Sequence, residues 1–221
     1  YFGFAGLIGL FFYIKCGKPV LYFGLIGGII AVSYSFLSRI KFSEIAVGIA
    51  YGPALFGGVY YVMTNTVQPE VFILSLPTML MTIVLLYIHT VMDYDFDIKE
   101  NHMTVANSFD SRLDSLIVLK ILLILAYAST VLLCIFDIAD WQVFLTVLTV
   151  ILAVDLYNSM FEYANNPESV PEDKWYHFPM ENMKKLKTAH AEAFMIRMYQ
   201  SRNLMIYFSL ILALGLCLSS L

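Results

Sequence analysis

Seven apolar stretches with few or no charges divide the chain, at residues 2–14, 19–37, 45–68, 71–92, 115–136, 141–161 and 203–221. A helix rising 1.5 Å per residue needs about 20 residues to cross a hydrocarbon core of ~30 Å. Six of the runs approach or exceed that length, and Lys15 cuts the first to 13 residues. The pattern predicts an all-α, polytopic bundle of seven transmembrane helices. Tyr1-Phe2-Gly3-Phe4 opens inside an apolar run, with no initiator Met, basic leader or cleavage signal. The first span is therefore expected to begin upstream of Tyr1. Lys120 lies about one turn into the fifth run, where its stem can snorkel to the interface. Asp155 lies in the second half of the sixth, where an ionisable group is costly and calls for a partner or a cavity.

Composition agrees with that class. Of 221 residues 60% are hydrophobic and 14% charged, with a mean hydropathy of +0.75, more apolar surface than a soluble domain of this size can hide. The net charge of −4 matters less than how the cations divide between the loops. Arg39, Lys41, Lys99, Arg112, Lys174, Lys184, Lys185, Lys187, Arg197 and Arg202 fall on one side, and only Lys15 and Lys18 on the other. The ten-to-two split assigns the richer side to the cytoplasm. Cys16, Cys134 and Cys217 have no metal or redox spacing. The stretch from Glu162 to Arg202 is expected as a cytoplasmic insertion, broken by Pro167, Pro171 and Pro179. From Met180 its Met183, Leu186, Phe194 and Met198 suggest an amphipathic helix lying on the membrane surface.

Chemistry concentrates where the fourth run meets water, at Met92-Asp93-Tyr94-Asp95-Phe96-Asp97-Ile98-Lys99. On a continuing helix Asp93 and Asp97 share a face and Asp95 points away. Paired carboxylates suit a hard cation such as Mg2+, which bridges to phosphate oxygens; a solvated acidic helix end is the plain alternative. His89, four residues before Asp93, shares its face. It either lines the same cavity or is a hydrogen-bonded interior histidine. Arg39 and Lys41 follow the second run and either pair with diphosphate or anchor the helix at the cytoplasmic interface. Tyr51, Tyr60, Tyr61 and Tyr87 offer ring faces to a developing carbocation, or belong to aromatic belts.

The acidic motif with Lys99 resembles the second aspartate-rich motif of the UbiA superfamily of intramembrane prenyltransferases. Ser43-Glu44-Ile45-Ala46-Val47-Gly48, through Gly52-Pro53 to Gly57-Gly58-Val59-Tyr60-Tyr61-Val62-Met63-Thr64, is similar to that superfamily's Gly-Glu helix. It is nearest to the branch that prenylates 1,4-dihydroxy-2-naphthoate in menaquinone biosynthesis. Tyr34 with Arg39 and Lys41 resembles the segment just before it. The resemblance implies one membrane-embedded prenyltransferase domain over residues 1–221, part of a nine-helix bundle opening to the cytoplasm. It implies Mg2+ as cofactor and a polyprenyl diphosphate and an aromatic acceptor as substrates. Asp93 and Asp97 would be the metal ligands, with Asp95 a lesser candidate. Lys99, Arg39 and Lys41 would pair with diphosphate and Tyr34 would line the cavity, while His89 remains a substrate-site candidate by its spacing alone. By the same resemblance the protein is expected in a bacterial inner membrane. The family's first aspartate motif, with its two helices, is expected before Tyr1. Position 43 is Ser where the family usually has Gly, Ile98 replaces a common Arg, and Asn101 replaces a common Gly. Alternatives are another acceptor (hydroxybenzoate, homogentisate, haem or a glycerol phosphate lipid) and a membrane transporter, which should carry coupling charges near midplane. No feature calls for nucleic acid.

Overall fold

The computed structural model describes residues 2–37, 40–172, 174–178 and 189–219. Each of the seven apolar runs is helical over most of its described residues. We number the helices α1 (Phe2–Cys16), α2 (Pro19–Leu37), α3 (Ser43–Thr64), α4 (Pro69–Met92), α5 (Tyr94–Lys99), α6 (Arg112–Ile135), α7 (Trp141–Asn165) and α8 (Ala189–Ser219). Five of them, α3, α4, α6, α7 and α8, are long and apolar enough to cross a bilayer, and α1 and α2 are shorter apolar helices over their described residues. The chain is an integral membrane protein.

Local chemistry sets the helix ends. Ser111 caps α6 by accepting from the Asp114 amide at 3.1 Å. Pro69 opens α4, where its missing N–H is no loss. Asn65, at φ +56, closes α3 in the left-handed region that Asn tolerates. Inside α3, Pro53 cannot donate its hydrogen bond, and residues 50–54 widen into a π-helical turn around Gly52 (φ −95, ψ −106).

Packing centres on α4, which lies against α6, α8 and α3, while α8 also packs along α7. Met81, Val84, Tyr87, Ile88 and Val91 of α4 meet Leu116, Leu119 and Leu123 of α6, Leu156, Met160 and Tyr163 of α7, and Leu204 and Phe208 of α8. The outward faces are equally apolar. Leu125, Val147 and Leu210 are about half or more exposed, which only lipid makes tolerable. The α1–α2 hairpin packs onto α3. Gly48 and Gly52, one turn apart, bring α3 onto Met79 and Ile83 of α4 as no larger residue permits.

The expected last span began at Asn203, because Arg197 and Arg202 end its apolar run. The helix instead starts at Ala189, and both arginines lie within it. Arg197 is fully buried, with its guanidinium on the carbonyls of Ser159, Ser169 and Ala193 and on the Ser169 hydroxyl. Arg202 stacks on Tyr199 and donates to Asn203 Oδ1 at 3.0 Å. Where the sequence suggested a surface helix, Phe194 and Met198 therefore belong to a bundle helix. Met180, Met183 and Leu186 lie outside the described residues. Within the expected insertion at 162–202, the described residues 166–172 and 174–178 form a strap that is tied to Asp155 of α7 and to Asn203 and Tyr207 of α8.

Candidate active site

The α3 N-terminus, the α4 C-terminus and the α6 N-terminus meet at one end of the bundle, the acidic end. Glu44 sits in the first turn of α3, 95% buried, where a helix N-terminus favours an anion. Its carboxylate accepts from the Thr90 hydroxyl of α4 and from Ser43, both at 3.0 Å. Among the described residues no cation pairs with it.

The acidic motif is not a straight continuation of α4. Asp93 leaves helical geometry (φ −84, ψ 3), α4 stops at Met92, and α5 starts anew at Tyr94. Helical hydrogen bonds still meet at Asp93: its amide donates to the His89 carbonyl at 3.0 Å, and its carbonyl accepts from the Asp97 amide at 2.8 Å, which keeps Asp93 and Asp97 one turn apart. His89 Nδ1 lies 2.9 Å from Asp93 Oδ2, and its ring meets Phe194 edge-on at 5.5 Å. Asp97 is buried, with His102 Nδ1 3.7 Å from its carboxylate. Burial, then the neighbouring Asp93 carboxylate, pushes the Asp97 carboxyl above its usual range; Glu44 adds to this, and His102 and His89 oppose it. Asp95 faces away and is bound at 2.6 Å by Arg112. Phe96 and Ile98, on either side of Asp97, are 59% and 50% exposed.

The cationic candidates are spread around this centre. Lys41 has φ +64, and its Nζ donates to Ser108 Oγ at 2.8 Å, tying the α2–α3 turn to the loop after α5. Lys99 is exposed at the end of α5. Neither lysine forms an ion pair among the described residues. Tyr34 is half-exposed near the end of α2, and Arg39 lies outside the described residues. Thr90, His102 and Arg112 are the neighbours that motif reading missed, and Glu44, read there as the start of the Gly-Glu-type helix, is given no site role. Glu44 had a signal, a carboxylate opening an apolar run, but His102 and Arg112 are placed by the loop fold, which has no sequence period.

Two expectations do not converge here. Tyr60 and Tyr61 sit about 16 residues along α3 from Glu44, roughly 24 Å by helical rise, and their hydroxyls serve Gln68 Oε1 and the Cys16 carbonyl. The Tyr87 hydroxyl is taken by the Ser115 carbonyl at 2.8 Å. Asp155, the midspan carboxylate, holds the strap. Lys174 Nζ is 2.9 Å away, His177 Nε2 3.4 Å, and the Tyr176 hydroxyl donates to it. Asn203 and Tyr207 of α8 fasten the same strap through the His177 and Phe178 carbonyls.

Among the described residues no three His, Cys, Asp or Glu side chains form a closed metal-ligand set. Asp93 and Asp97 are the residues here that could hold a hard cation. Asp93 and Asp97 are oxygen donors, their mutual repulsion and that of Glu44 is relieved by positive charge, and Mg2+ takes only one or two protein carboxylates when phosphates complete its shell.

A model of the UbiA prenyltransferase family matches residues 1–181 of the 221, and the chain belongs to that family. No match was found among curated proteins or among solved structures.

Proposed function

We propose that residues 1–221 form one membrane-embedded domain that transfers a polyprenyl group from polyprenyl diphosphate to an aromatic acceptor. We take the acceptor to be 1,4-dihydroxy-2-naphthoate, in menaquinone biosynthesis. The observation that carries this reading is the buried Asp97 carboxyl, crowded by Asp93 and Glu44, at an end of the bundle where Lys41 and Lys99 form no ion pair among the described residues. Uncompensated buried carboxylates cost stability, and a protein keeps them where a cation must bind. Mg2+ held by Asp93 and Asp97 would supply positive charge to the departing diphosphate. His89 orients the Asp93 carboxylate through its 2.9 Å contact. Lys41, steadied by Ser108, and Lys99 take the remaining diphosphate charge, with Tyr34 of α2 and Arg39, five residues after it in the sequence, as further candidates. The naphthoate acceptor is supported by the likeness of residues 43–64 to that branch's helix. The division of the cations, eight against two once Arg197 and Arg202 are placed within α8, supports an acidic end facing the cytoplasm, and we take the membrane to be a bacterial inner membrane.

The test uses the full chain in proteoliposomes with polyprenyl diphosphate, Mg2+ and either dihydroxynaphthoate or hydroxybenzoate. Prenylated naphthoate is expected from the wild type, and at least about a hundredfold less from Asp93→Asn or Asp97→Asn with unchanged membrane insertion. Full activity in either mutant, or in excess chelator, sinks the metal assignment. Product from hydroxybenzoate alone sinks the acceptor.

A further inference from the structure

Asp95 is the one carboxylate of the acidic motif with a strong partner of its own. Arg112, the first residue of α6, binds it at 2.6 Å, and the pair is lopsided: the Arg112 side chain is 9% exposed and that of Asp95 65%. Arg112 is buried for another reason. Its guanidinium carbon lies 5.0 Å from the Tyr163 ring centroid and 5.9 Å from that of Tyr94. Arg197 of α8 lies 4.9 Å from the same Tyr163 ring, so one fully buried tyrosine is shared by two guanidiniums. The Tyr163 hydroxyl donates to the Met92 carbonyl at 3.2 Å, the last residue before Asp93, and Tyr94 donates to the Phe109 carbonyl at 2.8 Å.

The motif is thereby gripped at Met92, Tyr94 and Asp95, on both sides of Asp93 and two residues before Asp97. The grip matters because α5 has six residues, far fewer than a helix needs to hold itself. At the junction the Asp93 amide donates to the His89 carbonyl at 3.0 Å and the Asp97 amide to the Asp93 carbonyl at 2.8 Å, so α5 hangs from α4 through the non-helical Asp93, and the side-chain anchors hold it there. An apolar residue at 112 would fill the space at lower desolvation cost, and the Arg112 Nε even lacks a hydrogen-bond partner. What only Arg supplies is a flat cation that stacks on two rings while binding a carboxylate at its edge.

We propose that Arg112 is a positioning residue: clamped on Tyr163 and holding Asp95, it fixes the α5 helix so that Asp93 and Asp97 stand at cation-bridging separation. The inference rests on the metal reading of that pair, and its test distinguishes the two. Charge and position predict opposite signs. Arg112 is a cation next to a cation site, so by Coulomb's law alone Arg112→Gln should tighten metal binding. By positioning it should weaken binding, by about tenfold, as loss of an outer support does at other metal sites.

The measurement is Mn2+ binding to the detergent-solubilised full chain by electron paramagnetic resonance, with and without inorganic pyrophosphate, alongside thermal unfolding. Weaker Mn2+ binding is expected in Arg112→Gln. Arg112→Lys keeps the charge but loses the stacked plane, and is also expected to bind more weakly. Arg112→Gln binding Mn2+ as well as the wild type or better overturns the positioning role. If Arg112→Gln does not fold, Arg112→Lys decides, and wild-type affinity there overturns the role equally. A wild-type chain that binds no Mn2+ under either condition overturns the metal reading and the inference with it.

Discussion

Replacing Gly52 by Ala tests whether the close seat of α3 on α4 holds the acidic end together. A Cβ built at Gly52 falls 2.6 Å from Met79 Cβ and 3.3 Å from its Cα. Carbon atoms rest at about 3.5–4.0 Å, so the shortfall is roughly 1 Å, and no rotamer of Met79 moves its own Cβ. Relief requires the two helices to part, and Gly52 also sits at φ −95, ψ −106, outside the helical region a Cβ prefers. Overpacking of this kind costs about 1–3 kcal/mol, which for a chain of this size lowers Tm by roughly 3–10 °C. Gly58 provides the control on the same helix. Its Cβ would meet Phe23 Cβ at 3.4 Å, an ordinary contact, so Gly58→Ala should gain up to about 1 kcal/mol from helix propensity. Heating both variants in detergent, followed by circular dichroism, compares them directly. Because α3 carries Glu44 to Thr90, Gly52→Ala should also lose transferase activity beyond its loss of stability. Equal Tm values for the two variants would refute the argument that contact at Gly52 sets the helix spacing.

Other outcomes follow from the carboxylates. Asp97 takes up a proton more readily folded than unfolded, so its contribution is fullest below the ordinary carboxylate pKa of about 3.9 and is lost as pH rises through its elevated folded value. Each unit of elevation is worth ~1.4 kcal/mol at neutral pH, so Asp97→Asn should unfold at a higher temperature than the wild type at pH 7 and lose this pH slope. A mutant as pH-sensitive and no more stable than the wild type would contradict it. Asp155→Asn should release the strap, exposing the Lys174 bond to trypsin about tenfold faster, with the product identified by mass spectrometry. Unchanged cleavage would mean that Asn203 and Tyr207 suffice to hold it.

Much of the bundle was legible because membrane helices announce themselves by uncharged length. The end of α4 at Met92 fell where the carboxylates begin. The start of α8 did not, because Arg197 looks like a loop cation until its three donor groups are seen saturated by carbonyls and a serine hydroxyl from its own helix, α7 and the strap. The relation of Asp93 to Asp97 was legible from spacing even though the helix breaks between α4 and α5, since the i to i+4 hydrogen bond bridges the break. Partners reached through tertiary folding were not. Glu44 meets Thr90 across 46 positions and Arg112 meets Asp95 across 17, and neither separation carries a periodic trace. Tyr60 and Tyr61 show the opposite error, since residue type suggested chemistry and helical rise put them at the far end.

The short helix α5 turns Asp97 into the bundle and Phe96 and Ile98 outward. In a chain surrounded by lipid those two side chains act as a float. They seek the boundary between acyl chains and headgroups, and the carboxylates they flank settle at that height. A prenyl diphosphate dissolved in the bilayer carries its phosphates at the same height. On the proposed function, the substrate need not be lifted toward water or drawn toward the midplane to meet Asp93 and Asp97. It arrives sideways, by a search in two dimensions, with the depth coordinate already matched.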